Sequence, residues 1–270
     1  MSGKLFSILS IAGSDNMGGA GIQADIKVGS SLGLHVLTAI TTVTAQNSSG
    51  LLDSLSISPR LLKLQLEAIL EDVMPDAVKI GMVGSVENIE IIADFLDIIP
   101  NYIPVVVDPV LYVSATRKSI KDITGYTVKL RDAYLERLFP KVTVVTPNLD
   151  ELKMFTGKDS IDGDTLSLLK AKAAVIKGGH GNSDQIIDKL LLPGKELSVT
   201  HKKIKCRNLH GSGCVFSSYL ASYMAMGNSI EIAFEKTCRK LNLIISKSAD
   251  YNLGSSPYGP LNILEKYKSI

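Results

Sequence analysis

Short apolar runs alternate along the chain with longer segments in which apolar residues recur at helical spacing. The runs predict strands at 5–12, 34–44, 77–82, 104–108, 142–145 and 173–177. The helical spacing predicts helices after residue 21, at 59–71 and 85–99, up to Arg137, after Cys214 and at 230–249. Segments 186–192 and 197–204, joined around Pro193-Gly194, predict an antiparallel hairpin at an edge of the sheet. This order predicts an α/β fold with helices on both faces of a mostly parallel central sheet.

The alternation of strands and helices runs through the whole sequence without interruption. No internal repeat, low-complexity tract or linker divides it. With 270 residues, of which 45% are hydrophobic, the chain is long enough for one large core. We therefore expect a single domain over residues 1–270.

Charge and cysteine content narrow the class of partner. A net charge of +2, from 29 basic and 27 acidic residues, gives no excess that would attract nucleic acid or a membrane surface, so we expect a small-molecule partner. No apolar run is long enough to cross a bilayer. The three cysteines, Cys206, Cys214 and Cys238, lack metal-ligand spacing, which favours a reducing cytoplasm.

The stretch from Gly211 to Cys214 predicts an anion-binding helix start. Gly211 and Gly213 allow a sharp turn, and helically spaced apolar residues follow. The unpaired amides of such a start favour a phosphoryl group, and the same field is expected to lower the pKa of the Cys214 thiol. The alternative is a glycine-rich helix cap with a small buried cysteine.

A second glycine-rich turn, residues 13–21, joins the first strand to the first helix. It matches neither the phosphate loop GxxxxGK[ST] nor GxGxxG, and its glycines are also compatible with tight helix–strand packing. Asp25, in the helix that follows, is a candidate for contact with a ligand.

Polar residues follow several predicted strands, at the edge where ligands gather in open α/β sheets. Gln46 has the donor and acceptor that match a nitrogen heterocycle, or it is an amide that stabilises a turn. Asp108 is predicted to face a metal or solvent. Lys177 ends its strand before Gly178-Gly179 and is placed to reach a nucleotide phosphate.

Asn148 and Glu151 allow two interpretations. A helix-capping residue followed three positions later by glutamate is the pattern of a capping box. The same two side chains are also candidate ligands for Mg²⁺ or its water shell. Either interpretation places them at the same edge of the sheet as Asp108.

Seven motifs occur in an order that resembles a known family. They are Ala12-Gly13-Ser14-Asp15, the segment from Gly18 to Asp25, Thr44-Ala45-Gln46-Asn47, Lys79-Ile80-Gly81-Met82, Val107-Asp108-Pro109-Val110, the segment from Thr146 to Glu151, and His210-Gly211-Ser212-Gly213-Cys214. On these motifs the chain resembles the ribokinase-like superfamily, and within it the hydroxymethylpyrimidine and phosphomethylpyrimidine kinases of thiamine biosynthesis. The resemblance spans nearly the whole length.

The resemblance implies a three-layer α/β/α fold, ATP with Mg²⁺ as donor, and a homodimer. The acceptor would be the hydroxymethyl group of 4-amino-5-hydroxymethyl-2-methylpyrimidine and then its monophosphate. By the same resemblance, Cys214 would lie where most ribokinase-like sugar kinases carry a catalytic aspartate, within the anion hole of Gly211, Ser212 and Gly213. The pyrimidine would be bound by Gly13, Asp25, Gln46 and Met82. Asp108, Lys177 and Ser212 would bind the nucleotide, and Asp108, Asn148 and Glu151 the metal.

Two departures from the family pattern stand out. Asn16-Met17 replaces an expected Pro-Ser pair, which bears on the conformation of the pyrimidine loop, and Ser212 replaces the commoner Thr but keeps the hydroxyl. Two alternatives remain open at this level: a pyridoxine or pyridoxal kinase of the same branch, and a catalytically silent pyrimidine-binding sensor.

Overall fold

In the computed structural model the first strand lies inside a nine-stranded sheet, with later strands added on both sides of it. The structure describes residues 4–110, 112–113, 118–119, 128–179, 184–249, 253–254 and 259–264. The strands are β1 (Ser7–Asp15), β2 (His35–Asn47), β3 (Gly50–Ser56), β4 (Ala77–Ile80), β5 (Val105–Val107), β6 (Tyr112–Val113), β7 (Lys118–Ser119), β8 (Val144–Val145), β9 (Ala174–Ile176), β10 (Gln185–Leu192) and β11 (Lys195–Lys202). Strands β6 and β7 pair separately as a small antiparallel ribbon.

The large sheet has the order β11-β10-β9-β8-β5-β4-β1-β2-β3. Its six central strands, from β9 to β2, pair in parallel, while β10 and β11 at one end and β3 at the other are antiparallel. Parallel strands place all their carboxyl ends at one edge, and this edge carries the polar residues predicted from the sequence. The mostly parallel sheet and the edge hairpin are thus confirmed.

The described helices are α1 (Gly21–Ser31), α2 (Pro59–Asp72), α3 (Val86–Ile98), α4 (Val128–Ala133), α5 (Leu149–Thr156), α6 (Thr165–Leu168), α7 (Ser212–Ala225) and α8 (Ile230–Ser248). After α4 the chain continues through a π-helical turn, Tyr134–Leu138, and a 3₁₀ turn, Phe139–Lys141. Ser58 and Ser85 cap α2 and α3 by accepting hydrogen bonds from Leu61 and Asn88. No helix in the described part of the chain is both long and apolar enough to span a membrane.

Two apolar cores lie on opposite faces of the sheet. Helices α2, α3 and α5 pack on one face, where Leu62, Ile92 and Leu152 are buried against strand residues. Helices α1, α7 and α8 cover the other face, with Phe216 and Phe234 in its core. This arrangement confirms the three-layer α/β/α architecture.

Two sequence-based expectations differ from the structure or lie outside it. The polar cluster at Gln46 was expected where strand β2 leaves the sheet, but β2 continues to Asn47 and turns into β3. The error arose because β3 is an edge strand with mostly exposed side chains, so it lacks an apolar run. The helix predicted up to Arg137 is described only from residue 128 onward.

Candidate active site

The first glycine loop, residues 13–21, is organised by the carboxylate of Asp15. Asp15 accepts hydrogen bonds from the backbone amides of Met17 at 2.8 Å, Gly19 at 3.0 Å and Ala20 at 2.8 Å. Burial alone would raise the pKa of Asp15, but its interactions with His210 and with these amides hold the pKa below its ordinary value. The loop is therefore built around an ionised side chain.

The second glycine loop, residues 208–214, lies against the first. Gly211 has φ +77°, and a Cβ there would lie 1.9 Å from the carbonyl oxygen of Gly19. His210 Nε2 lies 3.0 Å from Asp15 Oδ2. A side chain larger than hydrogen at Gly211 would force the loops apart, so glycine is required both for conformation and for space.

Helix α7 begins at this contact, and its first amides include two that have no acceptor among the described residues. The first bond of the helix joins the Val215 amide to the Gly211 carbonyl at 2.9 Å, so the helix supplies no acceptor for the amides of Gly213 and Cys214. The Ser212 amide donates to Leu209 at 3.1 Å. The sequence predicted an anion hole formed by the amides from Gly211 to Cys214. Fewer than four of these amides can bind an anion, because the Ser212 amide already donates to Leu209.

Beside these amides lie a lysine and a carboxylate from two strand ends. Lys177 Nζ is 2.7 Å from Asp108 Oδ1, and Ser217 donates to Asp108 Oδ2 at 3.4 Å. A Cβ on Gly213 would lie 3.2 Å from Lys177 Nζ and 3.6 Å from Asp108 Oδ2. Burial alone would lower the pKa of Lys177, but Asp108 and Glu151 raise it above its ordinary value, so the ammonium stays charged.

Asn148 and Glu151 form the capping box that the sequence suggested. Asn148 Oδ1 accepts from the Glu151 amide and Glu151 Oε2 accepts from the Asn148 amide, both at 2.8 Å. The Lys177 amide donates to Pro147 at 3.1 Å, which places this helix start next to the end of β9. These two hydrogen bonds stabilise the start of helix α5. Whether the same side chains suit a metal depends on the oxygen atoms available around them.

The donor set fits Mg²⁺. No group of three His, Cys, Asp or Glu side chains suited to a metal occurs among the described residues. Mg²⁺ is commonly held by one or two carboxylates together with phosphate oxygens and water. Asp108 and Glu151 both influence the Lys177 ammonium, so two carboxylates lie near the place where a phosphate would meet the amides of α7.

The expected lowering of the Cys214 pKa is wrong. The thiol accepts a hydrogen bond from the Gly21 amide and feels the positive charge of Lys79, but burial outweighs both and raises its pKa to about 11. The negative charges of Asp108 and Asp25 contribute to this rise. Cys214 is therefore a protonated thiol at neutral pH. The expectation was wrong because the sequence reveals the helix start but not the low-dielectric surroundings of the thiol.

Asp25 is sealed inside the protein. Asp25 and Lys79 are fully buried and form an ion pair at 2.9 Å. Ser10 and Ser218 donate to the two oxygens of the same carboxylate. With both oxygens engaged, the geometry favours a positioning role for Asp25 over the direct substrate contact that the sequence predicted.

The remaining predicted acceptor residues lie beside the first glycine loop. A Cβ on Gly13 would lie 2.5 Å from the Cε of Met82, so these two residues are in close contact. Gln46 is 8% exposed and donates through Nε2 to Thr44 at 3.1 Å. Its Oε1 is buried and has no partner among the described residues. The side chain of Asn16, which belongs to the first of the two departures, accepts a hydrogen bond from the backbone amide of Gln46 at 2.8 Å and so fixes the loop to β2.

Sequence reasoning missed three residues, Asp15, His210 and Lys79. All three stand in the quoted motifs, but the contact between Asp15 and His210 joins positions 195 residues apart. Lys79 carried a usable signal, since a lysine inside the apolar run of β4 requires a buried partner. That partner, Asp25, lies on a different element.

Taken together, the three-layer α/β/α fold and a helix N-terminus beside a lysine–aspartate pair define a phosphotransferase of the ribokinase-like class. The family model for phosphomethylpyrimidine kinase matches residues 15–262. The chain belongs to this family.

Individual relatives agree with this assignment. The chain is 36% identical to the hydroxymethylpyrimidine/phosphomethylpyrimidine kinase of Bacillus subtilis (strain 168), over 96% of this chain and 95% of that protein. The crystal structure of phosphomethylpyrimidine kinase from Clostridium difficile 630 superposes with a TM-score of 0.72 at 31% identity, covering 90% of this chain and 98% of that one. The pyridoxal kinase from Staphylococcus aureus, in complex with AMP-PCP and pyridoxal, gives a TM-score of 0.83 at 26% identity, covering 97% and 94%.

Proposed function

We propose that this protein transfers the γ-phosphoryl group of ATP to 4-amino-5-hydroxymethyl-2-methylpyrimidine and then to its monophosphate, as a step in thiamine biosynthesis. The observation that carries the proposal is the position of Gly213, which lies in the first turn of α7 directly beside Lys177 and Asp108. Phosphoryl transfer depends mainly on alignment of donor and acceptor and on neutralising charge on the transferred group. Family membership supports this assignment.

On the acceptor side, Gln46 would recognise the pyrimidine. Its buried Oε1 lacks a partner among the described residues, and an aminopyrimidine offers an exocyclic amine that can donate to it. Gly13 and Met82 would shape the pocket against the ring, since their close contact leaves no room for a side chain at Gly13. Asp25 would act indirectly, through Lys79 and Ser218.

On the donor side, a groove of about 390 Å³ between β11 and α8 would accept the nucleotide base. It is lined by Thr200, His201, Cys238 and Asn242, among others. Asp188 connects it to the end of β9, because it accepts the Gly178 amide at 2.9 Å and interacts with Cys238. A nucleotide lying in this groove would direct its phosphates toward Lys177 and the start of α7.

Charge on the phosphates would be met from two sides. The Lys177 ammonium and the amides of Gly213 and Cys214 would contact the transferring group, with the Ser212 hydroxyl beside them. Asp108 and Glu151, with Asn148 as a further oxygen donor, would hold Mg²⁺, which when bound neutralises phosphate charge and orients the chain of phosphates.

The protonated thiol of Cys214 bears on the first transfer. With a pKa of about 11, it is not a base at rest, so the hydroxyl must be oriented well enough to lose its proton late in the transfer. Cys214→Ala separates two roles. Equal loss of turnover on the free alcohol and the monophosphate indicates positioning, which the pKa favours. Loss confined to the alcohol indicates that the thiol handles the proton.

The test of the proposed function is a coupled ATP-consumption assay with hydroxymethylpyrimidine, its monophosphate, pyridoxine and pyridoxal side by side. We expect turnover of both pyrimidines. The similarity to the pyridoxal kinase from Staphylococcus aureus favours pyridoxal as the second candidate acceptor. Turnover of pyridoxal alone would support that alternative, and no turnover of any substrate would support a silent sensor.

We further propose that the chain acts as a single domain over residues 1–270 and as a cytoplasmic homodimer. The free thiols of Cys206, Cys214 and Cys238 are compatible with a reducing compartment. Leu52 and Leu55 on edge strand β3 are 75% and 71% exposed, which favours a partner surface there. Sedimentation of the wild type and of Leu52→Lys tests the dimer, since a dimer built on β3 should dissociate in the variant.

A further inference from the structure

The two glycine loops of the candidate site are joined by one polar contact between buried side chains. Asp15 ends β1 and is 2% exposed, whereas His210 precedes α7 and is 7% exposed. Their side chains meet at 3.0 Å through His210 Nε2 and Asp15 Oδ2. The contact therefore connects the loop proposed to bind the acceptor with the loop proposed to bind the phosphoryl group.

Close packing and a backbone hydrogen bond accompany this contact. A Cβ on Gly19 would lie 2.5 Å from His210 Cδ2 and 2.9 Å from the Cβ of Pro260. The His210 amide donates to the Gly259 carbonyl at 3.1 Å, which fixes the backbone of the histidine from its other side. The imidazole therefore packs against Gly19, while the backbone of His210 is hydrogen-bonded to Gly259.

We propose that Asp15 and His210 form a positioning pair that sets the separation between acceptor and phosphoryl group. Neither side chain is required to touch the reacting atoms; the pair acts through the loops that carry Gly13 and Gly213. The inference rests on the proposed function for its catalytic consequence. Misplacement of reacting groups by about 1 Å can cost on the order of 100-fold in rate, which sets the size of the expected effect.

The hydrogen bonds of Asp15 allow the link to be cut selectively. Oδ2 is shared by His210 and by the amides of Gly19 and Ala20, while Oδ1 accepts from Met17. Removing the imidazole leaves three amides to hold the first loop in shape. Substitutions at His210 therefore break the connection between the loops, whereas substitutions at Asp15 would dismantle a loop.

The other ring nitrogen makes a conservative replacement possible. His210 Nδ1 is buried and has no hydrogen-bond partner among the described residues. His210→Gln places an amide donor near the position of Nε2 and loses no second bond. His210→Leu fills the space without a donor, and His210→Asn stays polar but is too short to reach Asp15.

The experiment compares His210→Leu, His210→Asn and His210→Gln, with exposed His35→Leu as matched control. We expect kcat for hydroxymethylpyrimidine to fall about 100-fold in the Leu and Asn variants, with KM for both substrates within about threefold of wild type. The Gln variant should recover most of kcat, and the control should match wild type. The proposal is overturned if kcat is unchanged in the Asn variant, if only KM changes, or if Gln is as impaired as Leu.

Amide hydrogen exchange supplies a readout that does not depend on activity. In the Leu or Asn variant we expect about tenfold faster exchange at the hydrogen-bonded amides of residues 210 and 212, and near-normal exchange at Met17, Gly19 and Ala20, which Asp15 still holds. His210→Gln should restore slow exchange. Unchanged exchange at residues 210 and 212 would contradict the proposal that the pair connects the two loops. If wild type turns over none of the four substrates, the proposed function fails while the exchange experiment still decides the structural part.

Discussion

Two lysine–aspartate pairs lie in the same half of the molecule and differ in access to solvent. Lys79 and Asp25 are fully buried at 2.9 Å, and serine hydroxyls engage the carboxylate. Lys177 and Asp108 are as close, at 2.7 Å, but the lysine side chain is 14% exposed and lies beside the amides of α7. The first pair is closed by protein groups, whereas the second is open toward the place proposed for phosphate.

The difference shows how the same two side chains support different tasks. A fully buried pair can only exchange its partner by unfolding its surroundings, so its contribution is to hold elements together. In a pair that is open to solvent, the lysine ammonium can instead donate hydrogen bonds to an incoming anion. Exposure and neighbouring donors, more than the distance between the charges, separate a structural pair from a functional one.

The largest expected effect is on the sealed pair. Lys79→Met leaves the Asp25 carboxylate buried without its cation, and we expect the free energy of unfolding to fall by about 3–5 kcal/mol. Urea denaturation measures this. Lys79→Met/Asp25→Asn should recover at least half of the loss, because the amide still pairs with Ser10 and Ser218. The exposed ion pair of Lys153 with Asp159 is the control, and Lys153→Met should change stability by less than about 1 kcal/mol.

The open pair should respond in activity. Lys177→Met removes the cation beside Gly213 at the start of α7, and we expect kcat to fall about 10²–10³-fold, which corresponds to about 2.7–4 kcal/mol of transition-state stabilisation. Steady-state kinetics with hydroxymethylpyrimidine measures it, with surface Lys195→Met as control. A decrease in kcat no larger than that of the control variant would contradict the proposed role of Lys177 in binding phosphate. A stability loss as large as that of Lys79→Met would show that the two pairs do not differ as argued.

Gln46 extends the comparison to a buried polar atom, Oε1, that has no partner in the part of the chain that the structure describes. Gln46→Leu should lower kcat/KM for the pyrimidine by about 10–100-fold, since one or more hydrogen bonds of about 1–3 kcal/mol are lost. Weak activity on pyridoxal should change much less, because that ring lacks the adjacent ring nitrogen and amine. Measuring both specificity constants in wild type and variant decides this. An equal drop on the two rings would assign Gln46 to support of the loop.

The smallest effect concerns Cys214, whose titration senses both pairs. With a pKa raised to about 11, alkylation of the thiol by iodoacetamide should accelerate with pH until about pH 11 instead of levelling near 9.0. Lys177→Met should move the midpoint only slightly, because Lys79 opposes the rise more directly. Between pH 9.0 and about 11 the folded state binds more protons than the unfolded state, so this thiol lowers stability as pH increases. A midpoint below 9.0 would restore the thiolate expected from the sequence.

The sequence was sufficient for the parts of the fold that have local signals. The apolar runs of β1, β4, β5 and β9 and the caps at Ser58 and Ser85 can be recognised without tertiary information. Strand β3 could not, because an edge strand stabilised by one neighbour shows little apolar pattern. Family resemblance supplied the grouping of the site residues, which spacing alone did not provide.

Electrostatics accounts for the remaining errors in the site. The sequence places Cys214 at a helix start, where the field of the helix alone would lower the pKa of the thiol. The sequence does not show that the thiol is buried and that two carboxylates lie near it. Asp25 was expected to face a ligand because its position in the sequence does not reveal its buried partner. That partner, Lys79, lies 54 residues away on strand β4, whereas Asp25 lies on helix α1. Both errors come from contacts between distant segments.

The position of α7 has a consequence for synthesis of the chain on the ribosome. This helix packs across β1, β4 and β5, yet it begins only at Ser212, long after those strands have emerged. Until then Val106 and Val144, which it helps to cover, belong to an open apolar face. Nascent chains shorter than this are expected to require chaperones, and fragments ending before Ser212 to aggregate when released.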